Sequence, residues 1–206
     1  MNEVIEILKS VGAILPNGHF VGTSGLHFDA YINKDNLYPY TRETSHVCRL
    51  FAEKYKDKNI ETVVAPALGG IVLSQWVTYH LNELGGNTVA AYTEKTLDNG
   101  QAFTRGYDKH VKGRRVLIVE DNVATGGSIM KVIKAVREAG GNIVGVCVMV
   151  NRNKKIDSKF LGVPFDALSS LYVPSYQAAE CPLCKAGIPI NTTLGHGKKF
   201  LTEKKL

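Results

Sequence analysis

The stretch VLIVEDNVATGGS, residues 116–128, ends an uninterrupted apolar run on two adjacent carboxylates, Glu120 and Asp121. Thr125, Gly126, Gly127 and Ser128 follow, and then helical spacing begins. The apolar run reads as a buried strand, and in open α/β sheets ligands sit outside the carboxyl ends of the strands. A helix starting near Ser128 turns unpaired backbone N–H groups and the positive end of its dipole toward that place, which favours a phosphate. Gly126 and Gly127 allow close backbone approach, and the Thr125 and Ser128 hydroxyls can donate hydrogen bonds. A plainer account makes Ser128 an N-cap and the glycines a tight turn, but it leaves the paired acids unexplained. Adjacent carboxylates repel and tend to point different ways at a strand end; a sugar diol, a metal ion or both would give them a purpose. Acid-plus-glycine turns also occur in other α/β folds, so local physics leaves the ligand open.

The elements that must hold this stretch follow from periodicity. Residues 3–11 and 41–57 carry apolar residues at helical spacing, with Val47, Leu50, Phe51 and Tyr55 on one face of the second. Residues 14–40 are rich in Gly, Asn, Asp and aromatics, with short strand-like pieces. From residue 61 strands and helices alternate: ETVVAPA, a buried helix over 70–86 closed by Gly85 and Gly86, NTVAAYTE, a polar stretch 95–113, RRVLIVE, a helix over 128–141, NIVGVCVMVN and FDALSSLYV. Near-continuous apolar strands in such an alternation predict a parallel sheet covered by helices on both faces. The whole chain, 1–206, reads as one α/β domain: a small N-terminal hood at about 14–40, a core at about 41–173 and a tail at 174–206.

The chain has 206 residues, of which 44% are apolar and 21% charged, enough for a sizeable core. No segment is long and apolar enough to span a bilayer, and residues 1–12 carry acids where a signal peptide would be apolar, so the expectation is a cytoplasmic protein without a membrane partner. Four cysteines in this length do not form a disulfide framework. The formal charge of +6 suits an anionic partner, but part of it lies in the lysines of the tail, Lys198, Lys199, Lys204 and Lys205. Cys181 and Cys184 have the spacing of half a zinc knuckle. A full site needs two more ligands, and His196 alone stands nearby in sequence, so the plain reading is a thiol pair.

The stretch 116–128 resembles the phosphoribosyl pyrophosphate (PRPP) signature of the type I phosphoribosyltransferases: four apolar residues, Glu-Asp, and a Thr-Gly-Gly-Ser turn. GHFVGTSGLHFDAYINKD, VVAPALGGIVLSQWVTYHL and CPLCKAGIPI resemble the hood, the pyrophosphate-loop segment and a C-terminal run of the orotate members. The resemblance implies a parallel-sheet phosphoribosyltransferase fold and transfer of phosphoribosyl from PRPP to orotate, giving orotidine 5′-monophosphate and pyrophosphate. It implies that Glu120 and Asp121 hold the ribose hydroxyls and that Thr125, Gly126, Gly127 and Ser128 cradle the 5-phosphate. It implies that Ala67, Leu68, Gly69 and Gly70 take the pyrophosphate with Mg²⁺, the metal being held mainly through PRPP. Tyr31 matches a hood aromatic beside the base, and Arg152 an arginine at the base's polar edge, able to pair with a carboxylate. A homodimer is implied by lid exchange between subunits in the family.

Three features depart from the orotate pattern. Thr23 stands where the hood commonly has lysine, and Ala124 where the turn has a threonine facing the base. The polar stretch has Asp98 and Gly100 in place of the lysine and histidine of a Lys-x-His-Gly run. Lys95, Arg105, Lys109 and His110 are the possible substitutes in this lid; Lys95 and Arg105, which lie within the loop, are the catalytic candidates together with Asp121. The alternatives are the same chemistry on a purine base and, further off, a PRPP-sensing regulator that binds nucleic acid; the basic and aromatic residues are not clustered as the latter would need.

Overall fold

Alternate residues of the long apolar strands face opposite ways, and the two cores of the protein follow that parity. In the computed structural model, which describes residues 2–22 and 24–203, the sheet is built on β5 (Thr62–Pro66), β6 (Val89–Lys95), β8 (Arg115–Val123), β9 (Asn142–Asn151) and β10 (Phe165–Ser170), with β7 (Gln101–Ala102) at one edge. Its order is β10-β9-β8-β5-β6-β7. All pairings are parallel except β6 with β7. Val63, Ala65, Leu117, Val119, Cys147 and Met149 meet α1 (Glu3–Ser10), α2 (Thr41–Tyr55) and α3 (Gly69–Glu83) on one face. Val64, Val116, Ile118, Val146 and Val148 meet α4 (Gly127–Glu138) and Leu161 of α5 (Ser158–Leu161) on the other. Helices therefore cover both faces, as the alternation requires.

Most elements lie where periodicity places them, and the differences have physical reasons. The third long strand runs three residues past Glu120, to Val123, because β9 pairs with it that far: Glu120 opposes Val148 and Asn122 opposes Val150. The polar stretch after Lys95 is not wholly irregular; it turns back through Thr96, Asp98 and Asn99 into β7, a hairpin that makes this edge antiparallel. The helix over 70–86 is not buried all round: Leu73, Ser74, Val77, Thr78 and Leu81 face the core while Tyr79 is half-exposed.

The hood and tail form two small antiparallel sheets. β1 (Ile14–Leu15) pairs with β4 (Tyr31–Ile32), while β3 (His27–Phe28) lies between β2 (Phe20–Val21) and β11 (Ser175–Tyr176). The tail then carries α6 (Pro182–Lys185) and α7 (Gly197–Glu203), the latter against β2. Thr23, Lys204 and Lys205, singled out in the sequence, lie outside the described residues. From β5 the chain passes to β6 on one side and then to β8 on the other, so the strand order reverses between β5 and β8. In sheets of this kind that reversal opens a crevice at the carboxyl ends, where ligands bind.

Candidate active site

The crevice holds a cavity of about 600 Å³ lined by residues 120–129 of the β8–α4 corner, by the hood, by the tip of the β6–β7 hairpin and by Arg152. Strand parity sends the two acids apart. Glu120 shares the face of Val116 and Ile118 and accepts a hydrogen bond from Ser128 Oγ of α4 at 3.2 Å. Asp121 turns to the opposite face, where Lys34 Nζ from the hood meets its Oδ2 at 2.7 Å and Asn122 Nδ2 donates to its Oδ1 at 2.6 Å. Both carboxylates are buried. Burial, then the neighbouring Asp121, pushes Glu120 up to about 8. Burial also raises Asp121, with Lys34 acting against it. For Lys34 burial works downward, but attraction to Asp121, the hydrogen bond with it and Glu120 together hold the ammonium above its ordinary value.

The helix after the glycine turn begins one residue earlier than its sequence suggests. Gly126 is the N-cap of α4, with φ 78°, and Ser128 is already inside the helix, so its hydroxyl goes to Glu120 rather than to a cap. A side chain at Gly126 would be strained by that left-handed φ and would meet Phe160 at 2.7 Å. At Gly127 an added Cβ would meet nothing nearer than Thr125 Oγ1 at 3.7 Å. Gly127 thus leaves the space before the helix N-terminus open, where the first-turn N–H groups have no carbonyl of their own helix to bind.

Arg152 follows β9 and lies 4.9 Å from the centre of the Phe28 ring of the hood. Its Nε and Nη2 are shut off from solvent and meet no hydrogen-bond partner among the described residues. Burial lowers its pKa, with Tyr31 opposing. Tyr31 also lines the cavity, tilted against Phe20 at 5.3 Å between ring centres. Ala124 lines it as well, its carbonyl held by Asn153 Nδ2 at 2.8 Å.

Other predicted positions fall at the margin. Ala67, Leu68, Gly69 and Gly70 do not line the cavity; the Ala67–Leu68 peptide is cis and Leu68 is exposed. Gly69 nevertheless adjoins the site, since a Cβ there would be 3.3 Å from Lys34 Nζ and 3.2 Å from the Tyr38 hydroxyl. Lys95 lines the cavity, as do Asn99, Gly100 and Gln101 of the hairpin. Arg105 does not, and its guanidinium is held by Glu94 through Nη2–Oε1 at 3.2 Å and Nε–Oε2 at 3.3 Å. Lys109 and His110 sit in the 3-10 turn Tyr107–His110, also outside the cavity lining.

A family model for the phosphoribosyl transferase domain matches residues 33–160. The chain is similar to the orotate phosphoribosyltransferase of Caldanaerobacter subterraneus subsp. tengcongensis, 39% identical over 189 residues that cover 91% of this chain and 94% of that one. The Thermotoga maritima orotate phosphoribosyltransferase is 37% identical over 197 residues, 94% and 98% of the two chains. The crystal structure of the Aeropyrum pernix orotate phosphoribosyltransferase superposes with a TM-score of 0.68 at 25% identity, covering 82% of this chain and 93% of that one. The chain belongs to the orotate phosphoribosyltransferases. Among the cavity residues that the sequence does not mark, Lys34 and Phe28 stand out. Lys34 is one lysine of a polar hood stretch, and only the fold brings it to Asp121. Phe28, on the two-residue strand β3, carries no periodic signal that would mark it as the platform under Arg152.

Proposed function

We propose that the protein transfers the phosphoribosyl group of PRPP to orotate, with the ribose phosphate on the β8–α4 corner and the base between Arg152, Phe28 and Tyr31. The observation that carries this reading is Arg152. A buried guanidinium edge without a partner costs free energy, and a planar carboxylate ligand would satisfy it through two parallel hydrogen bonds. Adenine and hypoxanthine bring no carboxylate to it.

In the reaction the bond from C1 of PRPP to its pyrophosphate oxygen breaks and a bond from C1 to the orotate ring nitrogen forms. Positive charge develops on the ribose and negative charge on the leaving group, so the protein acts by positioning and by electrostatics. Glu120 and Asp121 take the ribose hydroxyls, and the amides at the start of α4 take the 5-phosphate with the Thr125 hydroxyl. Lys34, placed between Asp121 and Gly69, and Lys95 on the hairpin face the departing pyrophosphate. The cavity's oxygen donors, Asp35, Glu120 and Asp121, are hard ligands that fit Mg²⁺. The metal would be held chiefly through PRPP, with these acids beside it, and would supply neutralisation of the leaving group's charge. The hairpin would close over the bound substrates.

We further propose a homodimer working in the cytoplasm. The half-exposed Tyr79, packed edge-on to Trp76 and His80 of α3, suits a face covered by a second chain. The buried thiols Cys48 and Cys147, both raised by burial and in no disulfide, suit a reducing compartment. The deciding experiment offers the purified protein PRPP and Mg²⁺ with orotate, uracil, adenine or hypoxanthine in turn, measuring pyrophosphate release. Release with orotate alone is the expected result. Release with adenine or hypoxanthine and none with orotate would overturn the base assignment.

A further inference from the structure

Away from the cavity, four metal-ligating side chains from the two ends of the chain converge. His19 lies just before β2, His27 opens β3, Cys181 precedes α6 and Cys184 lies within it. Their ligand atoms all fall within 4.8 Å of one another. His19 Nε2 is 3.7 Å from each sulfur, and His27 Nδ1 is 3.5 Å from Cys184 Sγ. A tetrahedral ion with metal–sulfur bonds near 2.3 Å and metal–nitrogen bonds near 2.05 Å has nitrogen–sulfur edges of about 3.6 Å. The nitrogen–nitrogen edge, 2.7 Å, is shorter than such a tetrahedron's and would open by roughly half an ångström around an ion.

A second observation aims the cluster at a metal. His19 Nδ1 lies 2.7 Å from the carbonyl oxygen of Ile188. A carbonyl only accepts, so Nδ1 carries the proton and Nε2 presents its lone pair to the cluster, the arrangement in which a ligating histidine is oriented from behind. His19, His27 and Cys181 are buried. We propose that His19, His27, Cys181 and Cys184 form a structural zinc site. Two thiolates and two neutral imidazoles around Zn²⁺ sum to zero charge, so the group can be buried without an unpaired ion. Borderline sulfur and imidazole donors in a tetrahedron select zinc over magnesium or calcium. All four positions are filled by protein, which leaves no place for a reacting ligand and makes the site a clamp rather than a catalyst.

The clamp joins hood to tail beside the base pocket. Asn191 N donates to the His19 carbonyl at 2.7 Å, β11 pairs with β3, and the Phe200 ring meets His27 edge-on at 4.8 Å. The residue after His27 is Phe28, the platform under Arg152. Fixing His27 therefore fixes one wall of the cavity.

The test is metal content, which does not depend on which base the enzyme takes. Full-length protein produced with zinc in the medium and purified without chelators should carry about one zinc per chain by mass spectrometry of the metal, and no iron or copper. After chelation, Co²⁺ should restore the visible bands of a tetrahedral ion and a thiolate charge-transfer band, and chelation should lower Tm by about 5–10 °C. Cys184→Ser and His27→Gln should lose the zinc, whereas His196→Ala should keep it. Wild-type protein with no zinc, no tetrahedral cobalt spectrum and an unchanged Tm after chelation would overturn the proposal even if the variants do not fold. So would a Cys181–Cys184 disulfide in the intact mass under non-reducing conditions.

Discussion

The two halves of the cavity are built in opposite ways. The half proposed for the phosphoribosyl group is local: residues 120–128 supply both acids, the turn and the helix start, on two elements joined by a single corner. The half proposed for the base is stitched from parts far apart in the chain, with Phe28 and Tyr31 from the hood, Arg152 after β9 and Gly195 and His196 from the tail. The local half has satisfied acids, each with a partner inside the protein. The assembled half has a buried cation edge with none among the described residues. On the proposed reading, one half is a scaffold largely in place before substrate arrives, and the other is finished by the base.

That contrast breaks most sharply at Arg152. Arg152→Ala should reduce kcat/KM for orotate by about 100- to 1,000-fold, the cost of leaving a bound carboxylate without its buried partner. PRPP affinity, measured by calorimetry, should change less than about threefold. Equal losses in both would show that the halves are one coupled unit.

Gly127→Val attacks the other half. The added side chain enters open space next to Thr125, so Tm should hardly move, while PRPP affinity falls by roughly 10- to 100-fold as the phosphate loses its approach to the helix start. Unchanged PRPP affinity would remove the turn from the site. A Tm loss as large as that of Gly126→Ala, which is strained and meets Phe160, would mean the space is not open.

These halves also differ in how far the sequence reveals them. The β8–α4 corner is legible because an apolar run, two acids and a glycine turn are contiguous, and strand parity alone sends the acids to opposite faces. Its errors are small and local: the strand overruns the acids because β9 holds it, and the helix starts at Gly127 because Gly126 takes the left-handed cap. The hood left little to read. Its strands are two residues long, too short for any periodicity, so neither Lys34 at Asp121 nor Phe28 under Arg152 shows. Cys181 and Cys184 gather with His19 and His27 from the other end of the chain, a grouping that the β2–β3–β11 sheet creates and that sequence spacing does not show.

The hairpin spans the two halves, and its two cations sharpen the comparison. Lys95 lines the cavity, whereas Arg105 is occupied by Glu94. Lys95→Ala should lower kcat by roughly tenfold with little change in PRPP affinity, because a closing cation acts mainly on the charge of the leaving group. Arg105→Ala should cost less than about threefold, since an exposed pair contributes little. The reverse order in steady-state kinetics would mean that Arg105 leaves Glu94 on closure.

The smallest effect lies inside the local half, and it is a dependence on pH. Glu120, pushed up to about 8 by burial and by Asp121, keeps a proton in the folded protein that the unfolded chain releases near its ordinary carboxylate value of about 4.5. Its contribution to stability is therefore complete below about 4.5 and declines as pH rises toward 8, where the folded form must ionise a buried group. Asp121 does not follow the same course undisturbed, because Lys34 reaches it from the hood. Glu120→Gln keeps a neutral side chain of nearly the same shape, able to accept from Ser128 Oγ at every pH. Its Tm should match the wild type at about pH 5 and exceed it by a few degrees, about 2–5 °C, at about pH 8.5. Parallel Tm curves across that window would show Glu120 ionised throughout. Lys34 of the hood would then balance the charge of both acids, where with Glu120 protonated it balances Asp121 alone.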